Sequence, residues 1–350
     1  MQLLAFLGSW AIHPYGSCNI PYFGTKSKTV SMQRLFTCTF LFFGILISLF
    51  SQNKLSAELL SKLPYRNIGP FRPGCWVVDL AVPEQPQTEH LYTIYVATRN
   101  AGLYKSSNNG TTWTSVFNHP DVHSLGAVAV APSNANVIYL GTGDSYYARS
   151  SYSGNGVHKS SDGGKTWTHC GLPESQHIGK ILIHPKDPNT VYVAAMGHLF
   201  GPNPERGVFK SIDGGKSWQK SLFISDNTGI VDMAMDISNP NVIYAAAYEK
   251  YRYPWTLITG GKETGIYKTT DGGKSWKKLS QGLPAGDLGR IGLDVCRNKP
   301  NVVYAVIENI NLRDPFSTEI KADSAAGLSP QKREIGGEVY RSDDAGASWR

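Results

Sequence analysis

The chain has 350 residues, 36 of them glycine and 11% aromatic, with a formal net charge of +7. Part of that charge sits in Lys26, Lys28 and Arg34; beyond residue 51 the balance is 31 basic against 27 acidic residues. Nothing gathers the excess into a basic stripe, which argues against a nucleic-acid partner, and the glycine and aromatic content without a long amphipathic helix points to an all-β repeat protein.

Residues 1–31 read as a gene-model extension ahead of a true start at Met32. Residues 32–51 read as a signal peptide: Gln33-Arg34 precede an apolar run of sixteen residues from Leu35 to Phe50, and Ser51 follows. That run is short for a bilayer span; an uncleaved signal anchor is the rival reading. Membrane contact is expected only through this segment, and the mature protein in the secreted or cell-envelope space. Residues 52–63 form a linker and 64–350 the folded domain. Cleavage leaves Cys75, Cys170 and Cys296, too widely spaced for a disulfide framework or a zinc site. No metal or cofactor is expected.

From residue 106 one eight-residue phrase recurs: Ser106-Ser-Asn-Asn-Gly-Thr-Thr-Trp113, Ser160-Ser-Asp-Gly-Gly-Lys-Thr-Trp167, Ser211-Ile-Asp-Gly-Gly-Lys-Ser-Trp218, Thr269-Thr-Asp-Gly-Gly-Lys-Ser-Trp276 and Ser342-Asp-Asp-Ala-Gly-Ala-Ser-Trp349. Its tryptophans lie 54, 51, 58 and 73 residues apart, a period that means an array of small sheets. The third-place residues Asn108, Asp162, Asp213, Asp271 and Asp344 are expected to bond a backbone N–H two residues on. The fifth-place glycine supplies positive φ, and Trp113, Trp167, Trp218, Trp276 and Trp349 pack the following strand on its neighbours. A calcium loop is the alternative, but each copy has too few carboxylates to fill such a shell.

A second phrase alternates with the first, as in Ala131-Pro-Ser-Asn-Ala-Asn-Val-Ile-Tyr139 and His184-Pro-Lys-Asp-Pro-Asn-Thr-Val-Tyr192. Each unit then reads strand A, Pro/Asn turn, strand B, variable loop, strand C, box turn, strand D. Four antiparallel strands per unit predict β-propeller blades, about five of them, the fifth lacking strand D because Arg350 follows its box directly. The expected whole is part of a larger propeller. Strand parity puts the A–B and box turns on one face, and the variable B–C loops and D–A connections on the other, where binding belongs. On that face the expected ligand-binding residues are Asp144, Tyr147, Arg149, His177, His198, Glu205, Arg206, Arg252, Trp255, Asp287 and Arg290.

The eight-residue phrase resembles the Asp-box, or BNR, repeat of sialidases, xyloglucanases, sortilin-type propellers and photosystem assembly factors. Over residues 64–350 the chain resembles secreted bacterial proteins with a sortilin N-terminal-like, or Vps10-like, propeller, often labelled glycosyl hydrolase. Asn67-Ile-Gly-Pro-Phe-Arg72, Gly141-Thr-Gly-Asp144, Gln176-His-Ile-Gly179, Gly197-His-Leu-Phe-Gly-Pro-Asn203 and Gly286-Asp-Leu-Gly-Arg-Ile-Gly292 carry the likeness. It departs at Pro73-Gly-Cys-Trp76, where relatives read Gly-Gly-Arg. The favoured reading is a non-catalytic propeller that binds a protein, peptide or carbohydrate. Its alternative is a glycoside hydrolase, sialidase-like more than xyloglucanase-like, with Asp144 and Glu205 as the carboxylates. The resemblance to xyloglucanases places a catalytic Asp where this chain has Arg99, and Arg99 cannot serve as acid or base. A scaffolding factor is the third reading.

Overall fold

The computed structural model describes residues 76–84, 86, 88–146, 151–313 and 334–350, all within the compact unit Gly69–Arg350. The leader, the linker, Asn67–Arg72, Cys75, Tyr147 and Arg149 lie outside the described residues.

Five antiparallel sheets succeed one another along the chain. The first holds β1 (Val77–Ala81), β2 (Ile94–Thr98), β3 (Leu103–Ser106) and β4 (Thr114–Phe117). The second holds β5 (Leu125–Ala131), β6 (Asn134–Thr142), β7 (Val157–Ser160) and β8 (Thr168–His169). Next come β9 (Ile178–His184), β10 (Asp187–Ala195), β11 (Gly207–Ser211) and β12 (Gln219–Leu222). The fourth sheet is β13 (Thr228–Met235), β14 (Ile243–Arg252), β15 (Leu257–Thr259), β16 (Gly265–Thr269) and β17 (Lys277–Leu279), with β15 pairing only with β14. The fifth is β18 (Leu288–Val295), β19 (Val303–Leu312) and β20 (Glu334–Ser342), three strands as expected. First strands of consecutive sheets lie side by side, β1 against β5, β5 against β9, β9 against β13 and β13 against β18. Meander sheets placed radially on their first strands make a β-propeller.

Where a blade has a neighbour on each side, both faces of its middle strands are largely covered. On β10, Val191, Val193 and Ala195 join the core shared with the second blade, while Tyr192 and Ala194 join the core shared with the fourth. Alternation of side chains along a strand does this without any change of backbone.

The recurring phrases explain why blades dock in register. The strand-B tyrosine of one blade donates its hydroxyl to the neighbouring blade's box: Tyr95 to the Gly163 carbonyl (3.1 Å), Tyr192 to Gly272 (3.0 Å) and Tyr244 to Ala345 (2.8 Å). A strand-C lysine lies over each of these rings and donates to the same carbonyl: Lys105, Lys210 and Lys268. In the other direction, the Trp167 indole donates to the Val116 carbonyl (2.8 Å) and Trp218 to that of Cys170 (2.6 Å), each on the preceding blade.

Inside the box, the reach of the carboxylate differs from expectation. Asp162 Oδ1 accepts the amides of Lys165 and Thr166, three and four residues on (both 2.9 Å), and Oδ2 accepts the Thr166 hydroxyl. The first-place Ser160 hydroxyl takes the Asp162 and Gly164 amides instead. Gly164 sits at φ 89° and its four counterparts lie at 84–89°, as the fifth place requires. These donors hold the carboxyls of Asp162, Asp213 and Asp271 well below the ordinary carboxylate range, the Thr166, Ser217 and Ser275 hydroxyls contributing most.

Candidate functional site

Backbone hydrogen bonds confirm the two faces. Box and A–B turns meet in Gly163 N–H to Asn136 O and Gly214 N–H to Asn189 O. B–C loops meet D–A connections in Gly143 N–H to Ser124 O, Asn203 N–H to Asp226 O and Lys250 N–H to Asn227 O.

Several residues expected to face a ligand instead order these loops. Asp144 is fully buried; one carboxylate oxygen receives Arg99 Nε (2.8 Å), Arg99 Nη2 (2.7 Å) and the Ser151 hydroxyl (2.7 Å), and the other takes the Tyr146 amide (2.9 Å). Placed in this way, the Asp144 carboxylate is enclosed and engaged by Arg99, Ser151 and the Tyr146 amide, and orders the loop after β6. Arg206 is likewise fully buried and donates to the carbonyls of His198, Asn227 and Lys250, closing three loop ends together. His177 is buried with Nδ1 3.1 Å from the Asp144 carbonyl, and burial pushes its imidazole down to about 4. His198 is half-buried, its Nε2 3.3 Å from a Glu174 carboxylate oxygen.

The loop after β6 reaches across the face. Arg290, just inside β18, donates Nη1 to the Ser145 carbonyl (2.9 Å) and lies over the Tyr146 ring, while Trp76 meets that ring edge-on and stacks under Arg99. Lys250 Nζ lies 3.5 Å from the Tyr146 carbonyl; burial, then the Arg290 charge, lower its ammonium to about 8. Arg290 is therefore engaged in holding the second blade's loop.

The fourth blade offers what remains open. Along β14 the period of two puts Glu249 and Tyr251 on one side, and the turn that follows carries Tyr253 and Trp255. Tyr251 and Tyr253 meet edge to face at 5.4 Å, and Tyr253 and Trp255 stack in parallel at 5.3 Å. Trp255 is 80% exposed. The chain before this hairpin is anchored by Arg252 N–H to Leu199 O (2.8 Å), with Phe200 also exposed alongside. Arg252 is half-buried and forms no ion pair among the described residues.

Beneath this aromatic row lie two glutamates in different settings. Glu249 is half-buried; burial, then the charges of Glu263 and Asp287, hold its carboxyl above the ordinary range against the pull of the Glu263 amide. Glu263 accepts the hydroxyls of Ser225 and Thr228 on one oxygen. Asp287 is exposed, and Glu205 is half-buried on the neighbouring loop. Sequence reasoning placed Arg252 and Trp255 on this face but singled out neither Tyr251 nor Glu263. Alternation along β14 from Glu249 is a signal that finds Tyr251; Glu263 has none, since only the fold brings it beside Glu249.

Residues 155–290 match the Sortilin-Vps10 family, described as sortilin, neurotensin receptor 3. The chain is similar to an oligoxyloglucan-reducing-end-specific xyloglucanase of Neosartorya fischeri, 25% identical over 61% of this chain and 22% of the relative. It is also similar to xyloglucanase Xgh74A of Acetivibrio thermocellus, 25% identical over 68% of this chain and 30% of the relative. Among solved structures, a GH74 enzyme of Niastella koreensis superposes with TM-score 0.55 at 19% identity, covering 78% of this chain and 38% of that one. The fold is a β-propeller. The chain spans less than a third of the length of these curated relatives. Their names include no sialidase, and they stand closer to the hydrolase alternative than to the non-catalytic reading favoured from sequence.

Proposed function

We propose that this propeller binds a polysaccharide on its variable-loop face and belongs to a secreted glycoside hydrolase acting on a glucan of the xyloglucan type. One observation carries the reading: an aromatic row, Trp255–Tyr253–Tyr251, exposed at Trp255 and Tyr253, that leads through the half-buried Tyr251 of β14 to Glu249 and its neighbour Glu263. Flat exposed rings suit the apolar faces of sugar rings, and exposure of this kind in a single row marks a binding surface. Glycoside hydrolysis uses two carboxyl groups in unlike environments, one kept protonated to donate to the leaving oxygen, the other ionised. Glu249, held above the ordinary range, takes the first role, and Glu263 the second, on the side of the attacking water. As the glycosidic C–O bond breaks, the Glu249 proton goes to the departing oxygen, while Glu263 accepts a proton from the attacking water, whose oxygen bonds to the anomeric carbon. The similarity to xyloglucanases supports the substrate class.

A non-catalytic version of the same surface is the second reading, and Arg99 favours it: its guanidinium, bound into Asp144, stands where xyloglucanases are expected to carry a carboxylate. Incubation of the protein with xyloglucan oligosaccharides separates the two. The hydrolase reading expects new reducing ends, lost in Glu249→Gln and Glu263→Gln with binding retained. Binding without turnover in the unaltered protein leaves only the second reading, and neither binding nor turnover removes both.

A further inference from the structure

We infer that the grooves between consecutive box turns, on the face opposite the aromatic row, bind an anionic polysaccharide carrying carboxylate or sulfate groups. Between the third and fourth blades lies a cavity of about 450 Å³ whose wall includes Lys210, Lys220, Lys274 and the side of Trp218. One blade further on, a cavity of about 320 Å³ repeats the arrangement with Lys268, Lys277 and Trp276. Neither wall contains an Asp or Glu among the described residues. The carboxylates closest in sequence, Asp213 and Asp271, are turned into their own turns, where hydroxyl and amide donors occupy them.

The ammonium groups are correspondingly short of anions. Lys210 donates to the Gly272 carbonyl (2.8 Å) in the groove wall and keeps further N–H donors, whereas Lys220 turns its ammonium to the Pro204 carbonyl (2.5 Å) of the variable loop and gives the groove only its stem. Lys274 is exposed and forms no ion pair among the described residues. Burial first and then the nearby Lys274 charge lower the Lys210 ammonium, against a smaller opposing pull from the Asp271 carboxylate. Composition alone showed no basic stripe; the fold puts the box turns that carry the sixth-place lysines Lys165, Lys216 and Lys274 on one face, Lys274 in the wall of the larger cavity. Indole beside ammonium fits a sugar ring bearing an acidic group better than it fits a bare polyanion, and two like grooves on neighbouring blades suit a repeating polymer.

The test measures binding of the whole chain to polygalacturonate and to chondroitin sulfate at low and raised salt, with polyglutamate as a sugar-free polyanion. Expected is binding to at least one polysaccharide that weakens with salt, falls at least tenfold in Lys274→Glu/Lys277→Glu and in Lys274→Ala/Lys277→Ala, and is unchanged in Trp255→Ala. Circular dichroism confirms that these exposed substitutions leave the fold intact. Binding only to polygalacturonate or only to chondroitin sulfate identifies the acid group. Binding to neither, equal binding by the lysine variants, or equally tight binding of polyglutamate overturns the inference.

Discussion

Arg99 and Asp144 show how a charged pair that looks functional in sequence becomes structural once buried. Both are at most 8% exposed, so removing one leaves the other unpaired away from water. Arg99→Met is therefore expected to destabilise the fold by about 3–5 kcal/mol, read as a fall in melting temperature. Trp255 is the opposite case: Trp255→Ala should leave stability unchanged and weaken oligosaccharide binding about tenfold, roughly 1.4 kcal/mol. Titration gives two further readouts. Glu249, with its pKa raised, stays protonated to higher pH than an ordinary carboxyl, so hydrolysis should fall as pH rises through that elevated pKa. His158 is buried against Phe117, His119 and His169, and burial, then the two histidines, push it down to about 4. Unfolded, it takes its proton near pH 6.5; folded, it stays neutral to about 4. Its contribution to stability is complete above the first value and is lost as pH falls through the second, so stability should decline across that window, and less so in His158→Phe.

At the scale of the element, the box turn and the strand-B tyrosine work across blades. Tyr192→Phe removes a hydroxyl donor from Gly272 while Lys210 still serves that carbonyl, so the cost should be about 1 kcal/mol in denaturant unfolding. Gly215→Ala should cost more, because φ there is 89° and an added Cβ would lie 3.0 Å from that of Cys170. The blades were legible in sequence because each is written in local signals: box, Pro/Asn turn and alternating strand. The faces followed from parity. The site was legible only in part. Asp144, His177 and Arg206 stand on the right loops, yet their side chains turn inward, and burial depends on which loops meet. No periodicity encodes the approach of Arg206 to three carbonyls or of Glu263 to Glu249 across the β14–β16 connection.

For the whole molecule, four strand-B tyrosines are at most 2% exposed because a neighbouring blade's turn covers them, whereas Tyr304 of the fifth blade is 40% exposed, with Val306 and Val339 open beside it. On the first blade Leu80 and Val82 are open as well. These are surfaces of the kind that blades bury elsewhere in the molecule. Expressed as these 350 residues, the chain should self-associate, and Val306→Lys with Val339→Lys should reduce the association seen by light scattering. The central claim concerns the opposite, variable-loop face, and calorimetric titration of xyloglucan oligosaccharides into the unaltered protein and Trp255→Ala tests it most directly. The account expects measurable binding that weakens about tenfold in the variant; equal binding by both proteins, or no binding by either, would contradict it.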